Sequence, residues 1–121
     1  MLPKLLEEVD NLTKVYNRIA ETRDHVCTGC GISGVPLSHS HIIPRSRRRD
    51  LICEIKNITY HCLTLNGHIG CHTIWDDGTE AEKEMLLDYE INMKYIKSVD
   101  EQYYNLLLNR RFKSEYFFGN N

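Results

Sequence analysis

Apolar and polar positions follow three different patterns along the chain. From 2 to 22, Leu2, Leu5, Leu6, Val9, Leu12, Tyr16 and Ile19 recur at three- and four-residue steps, with Glu, Lys and Arg between them. That spacing predicts a helix with one apolar face turned to a core or a partner. From 24 to 78 the helical period is lost, and Gly, Ser, Cys and His break up short apolar runs. Short strands and turns are expected there. From 79 to 112 the helical period returns. Thr79 with Glu82 forms a capping-box signature, and Met85, Leu86, Tyr89, Met93 and Ile96 form the apolar stripe. Asp100 is expected to cap a last helix carrying Tyr103, Tyr104, Leu107, Leu108 and Phe112. The tail Arg110-Arg111-Phe112-Lys113 reads as a solvated helix end.

A length of 121 residues suits one domain, 1–121. With 41% apolar and 26% charged residues, a soluble globular protein is expected, and short strands flanked by helices 2–22 and 79–112 make its expected class α+β. The start Met1-Leu2-Pro3-Lys4 lacks the apolar segment of a secretion signal. No apolar run reaches the roughly 18 residues of a membrane span. An intracellular, cytoplasmic location and no membrane partner are therefore expected. In such a reducing compartment, five Cys and six His point to metal chemistry before disulfides. All of them lie between 24 and 78, in a segment too Gly-rich and polar to make a large core alone. A metal would supply what that core lacks.

A formal net charge of −2 excludes a histone-like polycation. The charge is uneven, however. Arg45, Arg47, Arg48, Arg49 and Lys56 face only Asp50 and Glu54 in their stretch. A local basic patch of this kind can meet phosphates without a basic chain.

Cys27-Thr28-Gly29-Cys30-Gly31 is a C-x-x-C pair in a Gly-containing turn, a spacing that lets both sulfurs reach one ion. A redox role would want a thioredoxin-like βαβ pattern, which is absent. Structural zinc is the expectation. Cys62 and Cys71 are the best candidates to complete the site, with His68 competing for either place. Eight residues separate these two cysteines, and the insert, with Gly67 and Gly70, can loop out. His61 competes less well, since neighbours on a strand point to opposite faces. Cys53 has no partner nearby and reads as a free thiol.

The stretch Leu37-Ser38-His39-Ser40-His41-Ile42-Ile43-Pro44 reads as a strand with His39 and His41 on one face, ended by Pro44. Lys56 to Cys62 is a second strand candidate. Cys71-His72-Thr73-Ile74-Trp75-Asp76 opens a short helix, with His72 and Asp76 one turn apart, a spacing that suits two ligands for one metal. Trp75 is expected in the core.

In this order, Cys27 and Cys30, His41-Ile42-Ile43-Pro44, Asn57-Ile58, Cys62 and Cys71-His72 resemble the His-Asn-His (HNH) endonuclease family, over roughly 26–77. The resemblance implies a small ββα-metal finger with a structural zinc, flanked by helices 2–22 and 79–112. It implies hydrolysis of DNA phosphodiester bonds with one catalytic divalent ion, Mg²⁺ or Mn²⁺. His41 would be the general base, Asn57 an organiser of the loop after the first strand, and His72 a ligand of the catalytic ion. Ser40 stands where many family members carry an Asp or His ligand. Asp76, or His39, is then expected to supply the missing ligand. Arg45, Arg47, Arg48 and Arg49 are expected to contact phosphate, and a homodimer is plausible. The competing expectation is a zinc-stabilised nucleic-acid-binding module without catalysis. A protein-interaction scaffold fits the basic run least well.

Overall fold

The computed structural model describes residues 2–119, with side chains for 5–110. Leu2, Phe112 and the Arg111–Lys113 side chains lie outside that range. The described chain runs α1 (Leu2–Thr22), β1 (Leu37–His41), β2 (Ile58–Cys62), α2 (Cys71–Asp77), α3 (Glu80–Glu84), α4 (Tyr89–Val99) and α5 (Glu101–Gly119). It is a mixed α+β fold. None of the described helices is long and apolar enough to cross a membrane.

β1 and β2 form a two-stranded antiparallel sheet in which Leu37 pairs with Cys62, His39 with Tyr60 and His41 with Ile58. Strand alternation then puts these six residues on one face, with Ser38, Ser40, Thr59 and His61 on the other. β1 stops at His41, before the expected Pro44. The backbone of Ile43 leaves the ladder because the Asn57 side chain takes it: Ile43 N–H donates to Asn57 Oδ1 at 2.8 Å, and Asn57 Nδ2 donates back to the Ile43 carbonyl at 3.1 Å. β2 likewise begins at Ile58, because Ile55–Asn57 is wound into a 3₁₀ turn.

Helix α1 forms as its periodicity predicts, but only its second half packs. Leu12, Val15, Tyr16 and Ile19 cover Ile58 and Tyr60 of the sheet. Leu5, Leu6 and Val9 remain exposed. A larger core gathers Cys27, Ile42, Ile43, Cys62, Cys71 and Trp75 against Leu86, Met93, Ile96 and Leu107. Trp75 Nε1 donates to the Ile42 carbonyl at 3.0 Å and locks α2 to the end of β1.

The C-terminal region departs from one continuous stripe. The Thr79–Glu82 capping box is present, yet α3 is only one turn long. The chain then bends at 85–88, leaving Met85 84% exposed, so this expected core residue is not in the core. The bend has a polar cause. Leu87 N–H donates to the Gly29 carbonyl at 2.8 Å. Asp88 is drawn inward, where Thr28 Oγ1–H and His61 Nε2–H reach its carboxylate at 2.6 and 2.8 Å. Asp100 caps the last helix as expected, accepting from Tyr103 N–H at 3.0 Å.

Candidate metal centre and adjoining cleft

The loop before β1, the end of β2 and the start of α2 converge on one point. The sulfurs of Cys27, Cys30, Cys62 and Cys71 all lie within 4.8 Å of one another. Cys30 Sγ and Cys62 Sγ are 3.8 Å apart. A tetrahedral zinc with arms of ~2.3 Å needs sulfur–sulfur edges of ~3.8 Å. The donor set therefore fits a zinc ion, and these four cysteines could hold one. Among the described residues they are the one group of three or more His, Cys, Asp or Glu close enough to share an ion.

The surroundings suit thiolates. Cys62 N–H points at Cys27 Sγ at 3.2 Å, and Cys71 N–H at Cys62 Sγ at 3.3 Å. Burial pushes the Cys27 thiol up, but N–H groups of Cys62, Cys30 and Gly29 outweigh it and bring the pKa down to about 7. Burial pushes the Cys30 and Cys71 thiols up; the Cys27 and Cys62 sulfurs add to this at both, and the Ile32 N–H offsets it only in part at Cys30. Four thiols this close cannot all ionise alone, and a bound cation removes that conflict. Gly29 leaves the room required: a Cβ there would sit 2.9 Å from both Cβ and Sγ of Cys71.

His68 takes no part in this cluster. The 63–70 insert loops out through Asn66 and Gly67, both at positive φ, with Leu65 and His68 exchanging backbone hydrogen bonds across the turn. His61 is fully buried and serves Asp88 instead. The carboxyl of Asp88 is held below the usual range: burial pushes it up, and the His61 and Thr28 hydrogen bonds prevail. Cys53 stands apart from the cluster, half-buried, with its thiol 3.9 Å from the Glu8 carbonyl.

A cleft of about 600 Å³ opens beside β1, lined by His39, His41, Arg45, His72, Asp76 and Tyr16 among others. Both Ser38 and His39 line it, so residues from the two faces of β1 reach it. His41 is buried to 9% exposure, and its Nε2–H donates to the Ile52 carbonyl at 2.9 Å. With the proton committed to Nε2, Nδ1 keeps its lone pair. Burial lowers the pKa of His41, the Ile52 carbonyl pulls it back up, and Arg45 lowers it further. The ring is a neutral base near pH 7.

Asn57 is fully buried and makes three hydrogen bonds through its amide. Two go to Ile43, and the third runs from Nδ2 to the Leu51 carbonyl at 3.2 Å. Asn57 thus ties both ends of the 43–51 loop, one residue short of the carbonyl that holds His41. On α2, His72 Nε2 and Asp76 Oδ2 lie 3.4 Å apart. They offer two ligand atoms on one helix turn. His39 is turned to α1, where its ring stacks on Tyr16 with centroids 3.8 Å apart.

The arginines divide. Arg45 is exposed in the cleft, its guanidinium 3.5 Å from the Tyr16 hydroxyl. Arg47 forms a bidentate pair with Asp100, at 3.2 Å for each contact, and lies over the Tyr103 ring. Arg48 holds Asp50 at 2.8 Å and reaches Asp100 at 3.5 Å. Arg49 reaches Glu8 at 3.5 Å. Three of the four are thus engaged by carboxylates, two of them by Asp100 at the start of α5.

Sequence reasoning missed the contact of Ser40 with His72, at 2.6 Å from Oγ to Nδ1. The strand pattern gave the one available signal, since it placed Ser40 on the face opposite His41. It also missed the inward pull on Asp88, for which the helical periodicity carried no sign.

Comparison with protein-family models, with curated proteins and with solved structures finds no match. What fold and site define by themselves is a small α+β chain with a four-cysteine cluster suited to zinc, next to a cleft lined by histidines.

Proposed function

We propose that this chain is a metal-dependent DNA endonuclease or nickase of the HNH type. The observation that carries the reading is the shared cleft. His41, its proton tied to the Ile52 carbonyl, lines the same cavity as the His72–Asp76 pair. The hairpin-then-helix order and the Asn57 brace add support, because they match what the sequence resemblance implies for each residue.

His72 and Asp76 are the residues that would hold a catalytic Mg²⁺ or Mn²⁺, with water and substrate phosphate filling the remaining positions. Such an ion, when bound, stabilises charge on the phosphate and on the departing 3′ oxygen. His41 Nδ1 takes the proton from the attacking water. Asn57 keeps the loop, and through the Ile52 carbonyl the His41 ring, in place. Arg45 meets a phosphate at the cleft mouth. The zinc of the cysteine cluster is separate and structural.

Purified protein with Mg²⁺ or Mn²⁺ should nick plasmid DNA, and His41→Ala should not. Absence of cleavage by wild type with any divalent ion on any DNA refutes the proposal. A second reading, a non-catalytic nucleic-acid binder, is favoured by one observation: Ser40 is fully buried and bound to His72, so the position before the base supplies no metal ligand. It predicts salt-sensitive DNA binding without cleavage, unchanged by His41→Ala.

A further inference from the structure

Ser40 has no solvent exposure, and its hydroxyl sits 2.6 Å from Nδ1 of His72. On the other side of the same ring, Nε2 faces Asp76 Oδ2 at 3.4 Å. A neutral imidazole has one N–H and one lone pair. Without a cation, the Asp76 carboxylate favours the proton on Nε2. Nδ1 must then accept, and Ser40 donates. A cation at Nε2 needs that lone pair, so the ring proton must sit on Nδ1, and Ser40 must accept. A hydroxyl can do both by rotating. A carboxylate or carbonyl at this place could only accept, and an ammonium could only donate.

We propose that Ser40 is the positioning residue of His72, its hydroxyl holding Nδ1 in either tautomer so that Nε2 can exchange a proton for a divalent cation shared with Asp76. The inference rests on the reading that this cleft takes such a cation. The proton balance closes within the ring. The proton leaves Nε2 and one is taken up at Nδ1 through solvent, so the exchange of tautomers leaves the proton count of the ring unchanged. The hydroxyl that fails as a ligand thereby serves as the outer partner that fixes ring orientation, a role that commonly changes metal affinity ~10- to 100-fold.

The test is long-range ¹H–¹⁵N spectroscopy of histidine-labelled, zinc-loaded full-length protein, titrated with Mg²⁺ and, as a tighter diamagnetic probe, with Zn²⁺ beyond the first equivalent. In the wild type, His72 is expected to pass from the Nε2–H to the Nδ1–H pattern as the added ion binds. Ser40→Ala is expected to show a mixed tautomer before addition and to bind the ion about tenfold more weakly. Ser40→Thr, which keeps the hydroxyl, is expected to restore both if it folds, and the wild-type titration stands without either variant. An unchanged His72 tautomer at saturation overturns the proposal, as does a Ser40→Ala affinity equal to wild type. So does a His72 that ignores both ions, whether or not DNA is cut. A normal tautomer exchange in a protein that cuts no DNA supports the Ser40 role and refutes the nuclease instead.

Discussion

Asn57 and Ile43 exchange two hydrogen bonds, side-chain amide to backbone, at 2.8 and 3.1 Å. The pair imitates one rung of a sheet at the point where β1 leaves the ladder. Both partners are buried, so nothing else can satisfy the Ile43 groups if the amide is removed. Asn57→Ala should lower stability by about 2–4 kcal/mol, since each orphaned buried group costs about 1–3 kcal/mol. Urea unfolding checks this. Asn57→Asp should fare little better, because a carboxylate cannot donate to the Ile43 and Leu51 carbonyls. A shift of less than about 0.5 kcal/mol in both variants would remove Asn57 from its bracing role.

His41 predicts a pH profile. Burial sets its pKa below the ordinary value of about 6.5. Cleavage should therefore rise with pH on a limb lying below about 6.5 and be flat through neutrality. Stability follows the same sign. The unfolded chain takes up the proton first as pH falls, so this group's contribution is present above about 6.5 and lost as pH drops through the folded value. Rate-against-pH curves for wild type test it. A limb centred above 7 would assign the base elsewhere.

The cysteine cluster predicts one zinc per chain by metal analysis. Three of its four ligands belong to the main core. Removing the metal should therefore unfold the 24–78 region, because structural zinc contributes about 10–16 kcal/mol in small domains, as much as a whole domain's net stability. Gly29→Ala should reproduce part of this loss, since the added Cβ would stand 2.9 Å from Cys71 Sγ. Chelator competition followed by circular dichroism measures both. Zinc retention equal to wild type in Gly29→Ala would count against the cradle.

The basic run predicts two kinds of arginine. Arg45→Ala should weaken DNA binding and flatten its salt dependence with no change in melting temperature, because Arg45 is exposed in the cleft. Arg47→Ala should do the reverse. It leaves Asp100, only 8% exposed at its side chain, with Arg48 as one weaker cationic partner, and loosens the tie between the 44–51 loop and the start of α5. Paired melting and binding curves separate them. Equal losses of DNA affinity in both variants would show that Arg47 leaves Asp100 for phosphate.

Much of the architecture was legible because it is written in local signals. The period of α1, the capping box at Thr79, the cap at Asp100 and the Gly-bearing turn in the 63–70 insert each depend on neighbours within a few residues. The cysteine set was legible too, since thiols in a polar, Gly-rich segment have few uses other than metal. The break at 85–88 was not. Its cause is the pair of hydrogen bonds that the Asp88 carboxylate accepts from His61 and Thr28, 27 and 60 positions away, which no local period encodes.

Residue chemistry and spacing alone determined which side chains are available: four thiols, an imidazole at His41, an amide at Asn57, and His72 with Asp76 one helical turn apart. Tertiary packing alone decided how they are used. Docking α2 by Trp75 on the Ile42 carbonyl brings His72 against Ser40, turning a side chain too poor to bind a metal into a partner for the ring. Ion pairs with α5 withdraw Arg47 and Arg48 and leave Arg45 exposed in the cleft. The physical reason is the same in each case: a side chain's chemistry is intrinsic, but the partner that satisfies it is chosen by which distant surfaces fold together.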